Sequence, residues 1–322
     1  MAEHEGRLTL WAIEVFLAAE DAGAITAAAR RLGVSASGAS QQIASLEEAL
    51  GAALFDRSAR PLTLTPAGKI FRRHARAIVN EVSAARGALG LAELAGLTGI
   101  RLGMIEDFEA EVTPRLLTAM GAEFAGCRFL LETGASHRLH DLLDARALDM
   151  IVAADMGAAE SWMELHPLLE EPFVAAVPRG RIEPGDGLDR FRALPLILYT
   201  ARHHMGRQIR DHLAHQNLRL SHRFELDSYH AIMAMVAEGA GWAILTPLGL
   251  RHAARFADRV AMLPLPVPPL SRRITLTARA GVLGEMPARV AARLRGLLAE
   301  TVVAPEVAQA PWLADRLHLL GD

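Results

Sequence analysis

Apolar residues near the start of the chain recur at helical spacing. Along one segment they follow at intervals of 4, 3 and 4 residues: Ala39, Ile43, Leu46 and Leu50. This spacing predicts a helix with one buried face. The preceding alanine-rich stretch, residues 26–32, predicts a shorter helix that Gly33 ends, and Ser35 is placed to cap the next one. Two short helices across a tight turn indicate a helix-turn-helix, and an ordinary surface helix in a bundle is the alternative.

The polar positions of the second helix suggest what it contacts. Ser37, Gly38, Gln41 and Ala44 are predicted to point away from the buried face. Residues at the start of such a helix can reach base edges in the major groove, and a glutamine can pair with adenine through two hydrogen bonds. The pattern therefore predicts a DNA-reading helix.

A hairpin and a long helix follow. Residues 54–57 and 62–64 read as short strands, and their connection carries Arg57 and Arg60 where a wing would meet phosphates. Thr65-Pro66 is a strong helix start. The helix then has apolar residues at a period of 3.5: Phe71, Ala75, Ile78, Val82, Ala85 and Leu89. So narrow a seam predicts a dimerisation helix, and a long helix packed on its own domain is the alternative.

From Thr98 onward, short apolar strands alternate with amphipathic helices. This alternation predicts an α/β domain of two Rossmann-like lobes, similar to periplasmic binding proteins, with a ligand cleft at the carboxyl ends of the strands. The expected domains are an all-α winged helix-turn-helix (1–65), a linker or dimerisation helix (66–97), an effector-binding domain (98–301) and a C-terminal extension (302–322). Lobe 1 is expected at about 98–171 and 272–301, and lobe 2 at about 172–271. The extension is expected to dock as a short helix, through Trp312, Leu313, Leu317 and Leu320.

Charge and composition narrow the classes of protein. The net charge is −3, but residues 54–76 hold six basic side chains against Asp56 alone, so a local positive patch is expected while Glu20, Asp21 and Glu47 face elsewhere. No apolar segment is long enough for a membrane span and no signal peptide is expected, which predicts a cytoplasmic protein. The single cysteine, Cys127, excludes a disulfide within the chain and is expected to be inert.

These motifs resemble those of LysR-type bacterial transcriptional regulators. The likeness runs through residues 24–35, 40–51 and 54–57 and Leu64-Thr65-Pro66-Ala67-Gly68, and continues at Gly134-x-Ser136-x-x-Leu139, Asp227-Ser228 and Gly239-x-Gly241 with Leu245-x-Pro247. The resemblance implies a ligand-responsive DNA-binding regulator that acts as a homodimer or homotetramer. Carried over residue by residue and combined with the polar positions above, the expected DNA contacts are Arg30, Ser35, Ser37, Ser40, Gln41, Gln42, Arg57 and Arg60. Ala36-Ser37-Gly38 and Gln41 depart from the family pattern, so the operator sequence stays open.

The effector is expected to be a small polar metabolite, a carboxylate or a zwitterion. Helix starts near Ser136 and Ser228 favour an anion, whereas the adjacent acids Glu106 and Asp107 favour a cationic group. Alternatively, these acids cap the next helix or pair with Arg115. The expected effector-binding residues are Glu106, Asp107, Gly134, Ser136, Tyr199, Thr200, Arg202, His203, Asp227, Ser228 and Thr246.

No cofactor, catalytic residue or metal site is expected. The thirteen histidines lack metal-ligand spacing, and no nucleophile elbow or phosphate-binding glycine loop is present. The competing hypothesis is a cytoplasmic solute-binding or small-molecule enzyme module with an N-terminal dimerisation hairpin.

Overall fold

The computed structural model describes residues 8–57, 59, 61–88, 99–124, 127–157 and 159–321. The chain divides into two compact units, residues 1–93 and 94–322. None of the helices in the described ranges is long and apolar enough to cross a lipid bilayer.

The first unit contains the predicted helix-turn-helix. Its elements are α1 (Leu10–Ala22), α2 (Ile25–Leu32), α3 (Ala36–Leu50), β1 (Phe55–Asp56), β2 (Thr63–Leu64) and α4 (Pro66–Ala88). Gly33 ends α2 with a φ of 70°, and the Ser35 hydroxyl caps α3 by accepting the Gly38 N–H at 3.0 Å. The buried face of α3 is confirmed: Ala39, Ile43 and Leu46 are at most 1% exposed, and Leu50 packs at the edge of the same core.

The wing hairpin leads directly into α4. β1 and β2 pair antiparallel, and Thr65 Oγ1 accepts the Gly68 N–H at 3.0 Å, which confirms the predicted helix start. A Cβ at Gly68 would lie 2.0 Å from the Leu54 carbonyl oxygen. Only glycine therefore lets α4 begin this close to the wing.

The 23 residues of α4 form a rod about 35 Å long. Its first turns pack within the unit, because the Phe71 ring lies 5.2 Å from that of Phe16 and Ala75 is fully buried. This corrects the predicted seam at Ala75 and Phe71, which join the core of their own domain. Farther along, Ile78 is 40% exposed, Val82 is half-buried and Ala85 is exposed, while Leu89 lies outside the described residues.

The second unit has two lobes, each built on a mixed sheet. Lobe 1 contains β3 (Gly99–Met104), α5 (Val112–Glu123), β4 (Arg128–Thr133), α6 (Ser136–Asp144), β5 (Met150–Ala154), β6 (Met163–Pro172), β12 (Ser271–Arg279) and α11 (Met286–Leu298). Lobe 2 contains β7 (Val174–Pro178), α7 (Leu188–Arg192), β8 (Leu196–Tyr199), α8 (His204–His215), β9 (His222–Leu226), α9 (Tyr229–Ala237), β10 (Trp242–Leu245), α10 (Pro247–His252) and β11 (Val260–Pro264). With the C-terminal strand β13 (His318–Leu319), the strand orders are β13-β6-β12-β5-β3-β4 and β11-β7-β10-β8-β9.

Two connections join the lobes. β6 continues through Phe173 into β7, and β11 returns to β12. In lobe 1, β5, β3 and β4 pair in parallel, and β12 pairs antiparallel with both β5 and β6. In lobe 2, β10, β8 and β9 pair in parallel, and β7 pairs antiparallel with both β10 and β11. Both lobes contain the predicted alternation of strands and helices.

The C-terminal segment docks on lobe 1, but not as the predicted helix. After α11 the chain continues through a π-helical turn at Ala299–Val303 and α12 (Ala304–Gln309) to a single 3-10 turn at Pro311–Leu313. β13 (His318–Leu319) then pairs antiparallel with β6 at the sheet edge. Leu313 and Leu317 are buried, so sheet pairing and two apolar anchors hold the segment in place.

Candidate functional site

The α3 helix presents a polar surface opposite its buried face. Ser37 and Gln41 are exposed, and Ser40 and Gln42 are half-buried beside them. The Ser35 hydroxyl is already occupied as the helix cap, which leaves it a structural role. Arg30, at the end of α2, is exposed. This surface has the donors and acceptors that reading base edges requires.

Glu47 joins the wing to α3. Its Oε1 accepts the N–H groups of Leu54 and Phe55 at 2.8 and 3.2 Å, and its Oε2 pairs with Arg57 Nη2 at 2.8 Å. Glu47 was expected to face away from the basic residues, and this expectation is wrong because its carboxylate satisfies backbone donors at the start of the hairpin. Arg57 is still 55% exposed, whereas Arg60 lies outside the described residues.

The basic patch is smaller than its sequence suggested. Arg72 and Arg76 pair with Glu20 at 3.0 and 2.9 Å, and Arg76 also reaches Asp21 at 3.3 Å. Glu20 and Asp21 were expected to face elsewhere. Instead, packing of α1 against α4 brings opposite charges together and reduces the positive charge available to phosphates.

In the second unit, the described residues form a cleft between the lobes. About 450 Å³ of space lies along it, part of it open to solvent. Its walls are formed by Ile105, Glu106, Asp107, Gly134, Ala135, Ser136, Ala154, Tyr199, His203, His204, Met205, Gln208, Tyr229 and Arg272. The starts of α6 and α8 therefore lie on opposite lobes of one cleft.

A buried arginine organises the floor of the cleft. Arg272 faces Glu171 in the register of β12 and β6, and its Nε donates to Glu171 Oε1 at 2.7 Å. Its Nη2 donates to Asp107 Oδ2 at 2.6 Å and to Thr246 Oγ1 at 3.2 Å. Arg272, Glu171 and the Asp107 carboxylate are almost completely buried. The guanidinium therefore links a loop of lobe 1 to the start of α10 in lobe 2.

Burial shifts the pKa values of several groups around the cleft. Desolvation raises the pKa of Glu171 to about 7, although Arg272 opposes the shift. Partial burial, reinforced by the neighbouring Asp107, raises the pKa of Glu106. Burial lowers the pKa of both His203 and His204, so these imidazoles are neutral at pH 7. Among the described lining residues, the two carboxylates, Glu106 and Asp107, both lie in lobe 1.

Six of the eleven predicted effector residues line the cleft: Glu106, Asp107, Gly134, Ser136, Tyr199 and His203. Asp107 pairs with Arg272, not with Arg115 as the alternative proposed. The Ser136 hydroxyl accepts the Ala154 N–H at 3.1 Å, and Tyr199 donates to the Asp227 carbonyl at 3.3 Å.

The other five residues support the cleft from behind or from its rim. Thr200 donates to Glu225 at 2.7 Å, and Arg202 pairs with Asp227 on the surface at 3.4 Å. Ser228 caps α9 and Thr246 caps α10. Their polar groups bond to other groups of the protein, and in the case of Thr246 also to Arg272 of lobe 1. These five residues do not line the cleft, contrary to the prediction.

Sequence reasoning missed seven residues that reach the cleft from strand ends, from helix turns and from a crossing strand. They are Ile105, Ala135, Ala154, Met205, Gln208, Tyr229 and Arg272. Helical spacing from His204 could have indicated Gln208, because residues four apart share a face. No sequence signal distinguished Arg272 from the adjacent Arg273, which pairs with Glu170 on the exposed face of the strand.

Comparison with known families decides the assignment. Residues 10–69 match the family model described as a bacterial regulatory helix-turn-helix protein of the lysR family, and residues 98–301 match the LysR substrate binding domain. The chain belongs to the LysR family. It is a DNA-binding transcriptional regulator whose second unit is a substrate-binding domain.

Relatives and solved structures agree with this family. The chain is 32% identical over 195 residues to a probable hydrogen peroxide-inducible genes activator of Mycobacterium xenopi, covering 61% of this chain and 100% of that protein. It is 29% identical over 274 residues to the SDS degradation transcriptional activation protein of Pseudomonas sp. (strain ATCC 19151), covering 83% and 88%. Full-length OxyR from Pseudomonas aeruginosa, carrying a cysteine-to-aspartate substitution, has a similar fold with a TM-score of 0.66 and 21% identity, covering 93% and 97%.

Proposed function

We propose that this LysR-family regulator binds operator DNA through α3 and the wing, assembles as a homodimer or homotetramer, and responds to a small polar molecule in the inter-lobe cleft. Specific contacts are assigned to Gln41 with Ser37, Ser40 and Gln42, and phosphate contacts to Arg30, Arg57 and Arg60. The exposed Ile78 and Ala85 and the half-buried Val82 of α4 are assigned, together with Leu89, to contacts between protomers. The protein is proposed to act in the cytoplasm and to catalyse no reaction.

The observation that carries the DNA-binding part is the two-sided character of α3. Its apolar face is fully used inside the unit, so the exposed Gln41 is available for another molecule. Glu47 fixes the wing at the end of the same helix, which favours simultaneous contact with a groove and with phosphates. The competing solute-binding or enzyme module is disfavoured, because residues 10–69 match a DNA-binding family model.

The names of the mycobacterial relatives raise the question of peroxide sensing. Cys127 is the only cysteine of this chain, so no disulfide can form within it. Burial raises the pKa of the Cys127 thiol, which disfavours the reactive thiolate. Ligand binding in the cleft is therefore proposed as the signal, in place of an intramolecular disulfide.

The experiment is a selection of binding sites from a random double-stranded DNA library, followed by titrations of the enriched sequence at increasing salt. Gln41→Ala is expected to weaken specific binding roughly tenfold or more while non-specific binding is retained. Arg30→Ala is expected to weaken both and to flatten the salt dependence, because it removes a phosphate contact.

The matched control is Gln216→Ala, which changes an exposed glutamine at the end of α8. It should leave the affinity and its salt dependence unchanged. Failure to enrich any sequence, or equal effects of the Gln41 and Gln216 substitutions, would refute the proposed DNA interface.

A further inference from the structure

Some of the described charged side chains that line the inter-lobe cleft form ion pairs, and one does not. Among the described lining residues, the charged carboxylates and guanidinium are those of Glu106, Asp107 and Arg272. Asp107 and Arg272 neutralise each other at 2.6 Å, and Glu171 engages the same guanidinium from behind. Arg272 therefore has little positive charge left for a ligand.

Glu106 is the lining carboxylate without a direct partner. Within the described ranges its side chain makes no hydrogen bond or ion pair, and the residue is exposed at the cleft wall. His252 lowers the pKa of this carboxyl, but burial and Asp107 raise it. The nearby imidazoles of His203 and His204 are neutral at pH 7, since burial lowers their pKa values. A ligand with only a carboxylate would meet an unpaired negative charge at this position.

The other groups of this wall also suit a cation with several N–H donors. The rings of Tyr199 and Tyr229 lie 5.3 Å apart on lobe 2, and aromatic rings attract ammonium groups. Gln208, which lines the same cleft, has a buried Oε1 without a hydrogen-bond partner among the described residues. A primary ammonium has three donors and no acceptor, which matches a free carboxylate and an unsatisfied amide oxygen.

We infer that the effector of this cleft carries a protonated primary amine, which Glu106 binds, as in a small amine or an amino acid. The inference rests on the proposed function, because it assumes that the cleft is the effector site. It excludes effectors whose only charged group is a carboxylate. Bound in this way, the amine contacts Glu106 from lobe 1 and the tyrosine wall from lobe 2, so that binding favours one arrangement of the lobes.

The test uses trios of probes: an amino acid, the amine that lacks its carboxylate, and the carboxylate that lacks its amine. They are alanine, ethylamine and propionate; 4-aminobutyrate, propylamine and butyrate; and phenylalanine, phenethylamine and 3-phenylpropionate. Each is titrated into the full chain by calorimetry and thermal shift, for the wild type, Glu106→Gln and Glu109→Gln. Glu109 is an exposed carboxylate in the same loop that does not line the cleft.

At least one amine-bearing probe should bind the wild type and the Glu109→Gln variant equally, and Glu106→Gln should lose about tenfold or more in affinity. Binding of the carboxylates alone, absence of binding by every amine, or binding that Glu106→Gln leaves unchanged would overturn the inference. The DNA selection described above is run on the same three proteins. If they enrich an operator yet reject amines, only this inference fails, whereas failure to bind DNA rejects the proposed function.

Discussion

At the scale of single residues, the main finding is the buried pair of Arg272 and Glu171. Both lie on the strands that cross between the lobes, and antiparallel register places them side by side. Removing water from two charges is costly, so such a pair persists only when every polar atom is satisfied. Here Asp107, Thr246 and the Met205 sulfur bond to the guanidinium, and the Leu248 N–H donates to Glu171.

The raised pKa of Glu171 predicts a dependence of stability on pH. The pKa of Glu171 is about 7 in the folded protein, whereas its reference value is 4.5. The folded state therefore keeps the Glu171 proton up to a higher pH than the unfolded state does. The free energy of unfolding should therefore fall, on the order of 2 kcal/mol, as the pH rises from about 4.5 to about 7. Thermal unfolding of the wild type and Glu171→Gln across this range measures the effect, and the variant should lose most of the slope.

Glu170→Gln is the control for this prediction. Glu170 lies next along β6, where hydrogen bonds from Ser271 and Arg273 lower its pKa. The stabilising contribution of Glu170 is lost only as the pH falls below about 4.5. Glu170→Gln should therefore leave the decrease of the unfolding free energy between pH 4.5 and 7 unchanged. An identical slope for wild type and Glu171→Gln would contradict the assignment.

At the scale of elements, the orientation of the wing depends on one carboxylate of α3. The two strands of the wing have two residues each, too few to fix a hairpin by their own ladder. Glu47 supplies three additional bonds to residues at the start of that hairpin. The position of the wing relative to α3 is thus set by a side chain, not by strand pairing alone.

Glu47→Ala should destabilise the DNA-binding unit by about 2 kcal/mol, because it leaves two backbone donors unsatisfied. It should also weaken DNA binding, although a negative charge is removed. Glu48→Ala removes an exposed negative charge one residue away and controls for electrostatics. Its unfolding temperature should not change, and its DNA affinity should stay equal or rise. Tighter DNA binding by both variants would show that the bonds of Glu47 to the wing do not contribute to DNA binding.

At the scale of the effector-binding unit, Arg251 forms ion pairs that connect both lobes and the C-terminal segment. Arg251 of α10 in lobe 2 pairs with Glu111 at 2.6 Å in lobe 1 and with Glu306 of the C-terminal segment at 3.2 Å. Burial raises the pKa of Glu306, although Arg251 opposes this shift. Residues beyond the matched domain, which ends at 301, thereby contribute to the contact between the lobes.

Arg251→Met should lower the free energy of unfolding of this unit by about 1–3 kcal/mol, because it leaves the buried Glu306 carboxylate and the exposed Glu111 carboxylate without their shared partner. Differential scanning calorimetry of the full chain measures the loss. Arg219→Met, at an exposed position of lobe 2, is the matched control and should change little. Equal effects of the two substitutions would mean that Arg251 does not join the lobes.

The sequence by itself determined the features that depend on local periodicity and on turn chemistry. The α3 face, the Ser35 and Thr65 caps and the alternation of strands and helices in both lobes follow from spacing over a few residues, which is why their prediction was confirmed. The LysR family was likewise evident from ordered motifs. Six of the residues expected at the effector site line the cleft, because strand ends and helix starts meet at one edge of a sheet.

Only the tertiary structure decided which charges are free. Glu20 and Glu47 form ion pairs with basic residues distant in sequence, and Arg272 forms one with Asp107. Ala75 is buried in the core of its own unit. Each outcome depends on contacts between segments separated by 10 to 165 residues, which no local pattern encodes. Because Coulomb interactions depend on distance and burial, the charge offered to DNA or to a ligand is known only after the chain has folded.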